Sequence, residues 1–142
     1  MKIGELAQAT RSTVQTVRYY EKEGLLPEPQ RTEGNYRFYG AEHVERLRFI
    51  RNCRVLDMTH QEVRTLLQVM DQPTASCGSV NTLIDAHIQH VEVRIAELLG
   101  LKTQLIALRQ RCVGEQPAEA CGILQGLSTM EAEGTPHRSH VG

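Results

Sequence analysis

From Ser79 to Arg111 the chain has no proline and a single glycine, Gly100. Within this stretch apolar residues fall at Ile84, Ile88, Val91, Ile95, Leu98, Leu101, Leu105 and Leu108. The steps of 4, 3, 4, 3, 3, 4 and 3 follow a heptad-like period. A single helix over this stretch would be about 50 Å long. Its apolar stripe needs a partner, and too little chain remains to build an intramolecular bundle. A second copy of the same chain is the simplest partner, so the spacing predicts a homodimer joined through long helices.

The residues before this helix follow different rules. Ile3 to Gln8 reads as a short helix, with a turn at Ala9 to Arg11. Ser12 with Gln15 reads as a capping box. It opens a helix to about Glu23 that carries Val14, Val17 and Tyr20 on one face and stops at Gly24. Two short helices with a tight turn make a candidate helix-turn-helix at about 3–23. Residues 25–39 lose the helical period, and Glu33-Gly34-Asn35 marks a hairpin turn. Arg31, Tyr36, Arg37 and Tyr39 flank the turn, so the hairpin reads as a wing beside the helix-turn-helix. Helices follow at Ala41 to Val55 and, behind a capping box of Thr59 and Glu62, through Met70. Residues 1–75 are expected to form a winged helix-turn-helix domain. Residues 76–112 are expected to form the dimerisation helix, 113–127 a loop and short helix, and 128–142 a frayed tail.

Charge divides along the same line. Residues 1–56 hold 10 Lys/Arg and 7 Asp/Glu, and residues 57–142 hold 6 and 10. The first part is therefore at +3 and the second at −4, which suits nucleic-acid binding by the amino half. On this reading Thr13, Gln15, Thr16, Arg18 and Tyr19 of the second helix face DNA, and Arg31, Asn35, Tyr36, Arg37 and Tyr39 of the wing join them. No apolar run approaches the roughly 20 residues needed to span a bilayer, and the first residues lack a signal peptide's apolar stretch. The expectation is a cytoplasmic protein without a membrane partner.

Cysteines occur at 53, 77, 112 and 121, with no pair spaced CxxC. A cytosolic chain keeps them reduced. Cys53 lies mid-helix and reads as core. Cys77 precedes the long helix and Cys112 closes it, about 52 Å away along a straight helix. One chain cannot bring them together, whereas an antiparallel dimer sets Cys77 of one subunit beside Cys112 of the other. The segment to Cys121 can fold back to the same place. Three thiols without a dedicated oxygen ligand select soft or borderline ions such as cadmium, lead or mercury, not magnesium or calcium. The competing reading is packing, which suits free cysteines. It is disfavoured because all three lie at element ends or in a loop. His87 and His90, and again His137 and His140, are spaced i, i+3. They form a second candidate metal site, set against a reading as solvated histidines. No nucleophile–base pair or Gly-rich phosphate loop argues for an enzyme.

These residues resemble the MerR family of bacterial transcription regulators. The resemblance runs from about Met1 to Leu127. It is carried by Ile3-Gly4-Glu5-Leu6-Ala7, Thr16-Val17-Arg18-Tyr19-Tyr20-Glu21, Gly24-Leu25-Leu26-Pro27, Asn35-Tyr36-Arg37-Phe38-Tyr39 and His43 to Ile50. Cys77-Gly78-Ser79-Val80-Asn81, Asp85-Ala86-His87-Ile88 and Cys121-Gly122-Ile123-Leu124 are similar to the cadmium- and lead-responsive branch. Cys77 stands where the copper branch has a non-thiol residue. Cys112 lacks the adjacent cysteine of the zinc branch, and the four clustered cysteines of the redox branch are missing. The resemblance implies a mainly α fold: a winged helix-turn-helix, a long antiparallel coiled-coil helix and a carboxyl-terminal metal loop. It implies that the apo homodimer represses a promoter, and that Cd(II) or Pb(II) on Cys77, Cys112 and Cys121 distorts the bound double-stranded DNA so that RNA polymerase can act. Metal-efflux genes are the implied targets. A Zn(II)- or Hg(II)-responsive member of the same family, or a metal-sequestering dimer, are the alternatives.

Overall fold

The computed structural model describes residues 1–131. The elements in order are α1 (Ile3–Ala9), α2 (Val14–Lys22), β1 (Gln30–Arg31), β2 (Arg37–Phe38), α3 (Ala41–Val55), α4 (His60–Met70), α5 (Gly78–Arg109), a 3-10 turn (Ala118–Ala120) and α6 (Gly122–Thr129). The chain divides into two compact units, Met1–His87 and the residues from Ile88 onward. The first turns of α5 belong to the first unit and the rest to the second.

The first unit is built on one apolar core. Leu6 and Ala7 of α1, Val17 and Tyr20 of α2, Leu47, Ile50 and Cys53 of α3, and Val63, Leu66 and Leu67 of α4 are all buried, together with Leu25, Leu26, Tyr39 and Met58. Each helix shows only its apolar stripe to this core. Val80, Leu83 and Ile84 of α5 also pack against it, so the compact unit extends past residue 75. Ile84, expected to begin the dimer seam, is a core neighbour within its own chain. Met70, the last residue of α4, is 44% exposed.

Local chemistry sets the element ends. Thr13, not Ser12, caps α2: its side chain accepts from the Thr16 N–H at 3.1 Å. The Ser12 hydroxyl instead donates back to the Thr10 carbonyl at 3.3 Å, in a turn where Arg11 takes a left-handed φ of 52°. At the other end Gly24 has φ +75°, and the Leu25 N–H donates to the Tyr20 carbonyl at 2.9 Å. This is a Schellman closure, which favours glycine. The Thr59–Glu62 capping box forms as the sequence predicts: Glu62 N–H to Thr59 Oγ1 at 3.1 Å and Thr59 N–H to Glu62 Oε1 at 2.9 Å.

The two strands pair antiparallel, Gln30 with Phe38 and Arg31 with Arg37. Asn35 supplies the turn's left-handed residue with φ 62°, a conformation asparagine tolerates. In the second unit, α5 exposes Ile88, Val91, Ile95, Leu98, Leu101 and Leu105, the stripe seen in the sequence. Val93, Leu99 and Ile106 are exposed as well. Residues 128 and 129, expected in the tail, are the last turn of α6. No helix among the described residues is long and apolar enough to cross a membrane.

Candidate nucleic-acid interface and thiol site

Helix α2 and the β1–β2 hairpin enclose a groove of about 880 Å³. Lys2, Arg18, Lys22, Arg31 and Arg37 line it, against the two carboxylates Glu21 and Glu28. Thr13, Gln15 and Arg18 of α2 are exposed, and Thr16 is partly so. The Thr13 and Thr16 hydroxyls lie 2.9 Å apart, so both serve the cap of α2. Tyr19 is 43% exposed. Its ring lies 5.4 Å from that of His60, and its hydroxyl is 3.4 Å from His60 Nδ1.

The wing presents Arg31, Asn35, Tyr36 and Arg37, all exposed. Arg31 Nη1 donates to the Asn35 backbone carbonyl at 3.3 Å and to its side-chain oxygen at 3.4 Å. This holds the guanidinium over the turn. Arg37 Nη1 lies 3.1 Å from Glu21 Oε2. Tyr39 departs from its expected place at a DNA surface. It is fully buried, and its hydroxyl donates to Glu21 Oε1. Burial, reinforced by the Glu21 hydrogen bond, pushes the phenol up to about 12. Tyr39 is therefore a core residue. It follows directly on β2, whose own two residues are both exposed, and its backbone N–H donates to the Met1 carbonyl at 2.8 Å.

Three residues of this frame have structural roles that the motifs containing them do not spell out. Glu21 bridges the helix and the wing through Tyr39 and Arg37. His43 is buried; it accepts from the Gly40 N–H at 3.0 Å and lies 3.2 Å from the Pro27 carbonyl. Arg46 donates to the Leu25 carbonyl at 3.1 Å and grips both Asp71 oxygens at 2.6 and 3.0 Å, which holds the Asp71 carboxyl below its usual range. Together they clamp the loop after α2 to α3 and α4. Only the Glu at the end of Arg-Tyr-Tyr-Glu hinted at such a role, as a charge placed one residue after a buried ring.

The second unit holds a pair of thiols. Cys121 is the N-cap residue of α6. The backbone N–H groups of Leu124 and then Ile123 hold its thiol below the usual range, and the Cys112 side chain adds to this by a hydrogen bond. Cys112 is pushed up, chiefly by its hydrogen bond to Cys121. Its sulfur also lies 3.6 Å from the Gly114 carbonyl. The arrangement is a thiol beside a thiol that ionises first. Cys77 belongs to the first unit, just ahead of α5, where its carbonyl accepts the Asn81 N–H at 3.1 Å; it is exposed. Cys53 is buried, and burial pushes its thiol up. Among the described residues no three His, Cys, Asp or Glu side chains gather to hold a metal within one chain.

Of the four histidines of the expected second site, only His87 and His90 lie among the described residues. His87 Nε2 donates to the Leu56 carbonyl at 2.8 Å, and its Nδ1 lies 3.1 Å from Glu62 Oε2. His87 is thereby committed to α4 and the end of α3. His90 is exposed, and His137 and His140 lie outside the described residues.

A family model described as MerR HTH family regulatory protein matches residues 1–69, and one described as MerR, DNA binding matches residues 44–108. The chain is 47% identical over 113 residues to the HTH-type transcriptional regulator ZntR homolog of Haemophilus influenzae, covering 80% of this chain and 84% of that one. It is 36% identical over 126 residues to the mercuric resistance operon regulatory protein of Bacillus cereus, covering 89% and 96%. The crystal structure of the transcription regulator PbrR691 from Ralstonia metallidurans CH34 in complex with lead(II) is similar, with 50% identity, a TM-score of 0.80 and coverage of 89% and 98%. The helix-turn-helix, wing and long helix seen here, together with these matches, show that the chain belongs to the MerR family of helix-turn-helix transcription regulators.

Proposed function

We propose that this protein is a metal-responsive regulator whose homodimer binds promoter DNA through α2 and the wing, and senses a soft divalent ion at a site of three thiols. The observation that carries the reading is the Cys112–Cys121 pair. The two thiols influence each other, and the first N–H groups of α6 draw Cys121 toward its thiolate form. Thiolate is the metal-binding form of cysteine, and an all-sulfur set favours soft ions. The donor set therefore fits Cd(II) or Pb(II). Cys77 of the partner subunit is the third ligand, because the antiparallel pairing proposed for α5 brings the start of one helix to the end of the other. Lead(II) is bound by PbrR691, which supports the same ion here.

In this reading α2 enters the major groove, with Thr13, Gln15, Thr16, Arg18 and Tyr19 toward the bases and nearest phosphates. Arg31, Asn35, Tyr36 and Arg37 hold the backbone and fix register. Two copies read successive grooves of a near-palindromic site. The apo dimer represses. The bound ion ties the end of one α5 to the start of the other and favours the dimer form that bends and untwists the promoter for RNA polymerase. The deformation costs on the order of a few kcal/mol, which the difference in metal affinity between the two dimer forms must supply. Metal-efflux genes are the expected targets.

A promoter-fused reporter titrated with Cd(II), Pb(II), Zn(II), Hg(II) and Cu(I) tests the assignment. Cd(II) and Pb(II) are expected to induce at the lowest concentrations. Induction first by Zn(II) or Hg(II) would reassign the inducer. Tight metal binding without any promoter binding in a gel-shift assay would make the protein a sequestering dimer instead.

A further inference from the structure

We propose that Gly122 and Gly126 are positioning residues of the thiol site: the missing side chains at these two places let α6 lie directly on the end of α5 and hold Cys121 against Cys112, strictly at Gly122 and less so at Gly126. The inference rests on the proposed role of these thiols. Gly122 and Gly126 are four residues apart and share one face of α6. A Cβ at Gly122 would collide with the Arg111 carbonyl oxygen, with the carbonyl carbon and Arg111 Cβ next nearest at 3.1 and 3.3 Å. A Cβ at Gly126 would collide with the Arg111 guanidinium, with Cζ and Leu108 Cδ1 each at 3.1 Å. Neither glycine has a left-handed φ, so the constraint at each is space and not backbone conformation.

The two obstacles differ in kind. The Arg111 carbonyl is backbone and cannot move without moving Cys112, its neighbour in sequence. The guanidinium is the far end of a flexible side chain. Cys121 immediately precedes Gly122 and caps α6, so any shift of α6 at Gly122 is delivered to the Cys121 sulfur undiminished.

The test uses the full-length chain with Gly122→Ala, Gly126→Ala, Arg111→Ala and the two double variants. The first readout needs no metal. It is the rate at which the bifunctional thiol reagent dibromobimane bridges Cys112 to Cys121, with the bridge mapped by peptide mass spectrometry. The second is Pb(II) affinity by chelator competition, and the third is apo operator affinity. Gly122→Ala is expected to lower both the bridging rate and Pb(II) affinity at least tenfold, with operator affinity held within twofold. Gly126→Ala should lower them about threefold. Adding Arg111→Ala should restore Gly126→Ala but not Gly122→Ala.

Gly122→Ala with bridging and Pb(II) affinity within twofold of the unmodified protein would overturn the inference. So would rescue of Gly122→Ala by Arg111→Ala. Should Gly122→Ala fail to fold, the Gly126→Ala and Arg111→Ala rescue pair decides alone. An unmodified protein that bridges its thiols rapidly but takes up Pb(II) no better than its Cys112→Ser variant would sink the proposed metal role while leaving the positioning of Cys121 intact.

Discussion

Glu21 holds two partners with one carboxylate, the buried Tyr39 hydroxyl and the Arg37 guanidinium of the wing. Arg37 is thus pre-aimed, whereas Arg18 stands exposed on α2. Replacing either by Ala should weaken operator binding and leave metal affinity unchanged. A phosphate contact would lower the salt slope by about 1 and affect all sequences alike. A base contact would cost roughly 1–3 kcal/mol of discrimination at one position. Fluorescence anisotropy across a salt series and a set of single-base operator variants separates the two, and unchanged affinity in both variants would refute the assignment. The thiols make a prediction of their own. A thiol lowered by helix N–H groups is thiolate at lower pH, and one raised by its neighbour is thiolate only at higher pH. Iodoacetamide labelling of the apo protein across a pH series, followed by mass spectrometry, should therefore show Cys121 reacting with a lower midpoint than Cys112. Equal midpoints would remove the claim that the α6 N–H groups favour the Cys121 thiolate.

Among the elements, α4 depends most visibly on its cap. Thr59 and Glu62 satisfy each other's backbone N–H groups, and Glu62 also faces His87 of α5. Thr59→Ala should cost about 1 kcal/mol of stability, read as a shift in the urea midpoint without a change in slope. A loss of only a few tenths would mean that α4 is held by Val63, Leu66 and Leu67 alone. Helix α2 shows the limit of pattern reading. The sequence offers Ser12 and Thr13 side by side as caps, and the structure uses Thr13 while the Ser12 hydroxyl donates to the Thr10 carbonyl. The hairpin is legible because Gly34-Asn35 marks its turn, but the burial of Tyr39 depends on its contacts with Glu21 and Met1 from distant segments.

At the scale of the whole molecule, the exposed row from Ile88 to Leu105 is too apolar for water along its length. Sedimentation at micromolar concentration should give a dimer, and a stable monomer would refute the antiparallel pairing. The shared thiol site adds a sharper test. Cys77→Ser and Cys112→Ser should each abolish induction while sparing repression. A heterodimer of the two variants loses both residues at one site and keeps three thiols at the other, so metal titration should recover one full-affinity site per dimer. A site built within one chain would recover none.

Periodicity and turn chemistry act over a few residues, so they are readable one segment at a time. The spans of α3 and α4, the Gly24 stop, the wing turn and the apolar stripe of α5 all follow from them. Burial and proximity between distant residues do not. The turn of Tyr39 into the core, the clamp of Arg46 on Leu25 and Asp71, the engagement of His87 by Glu62 and Leu56, and the approach of Gly122 and Gly126 to Arg111 join segments whose sequences carry no mark of each other. Such contacts exist only once packing has selected which of several locally acceptable side chains meets which neighbour.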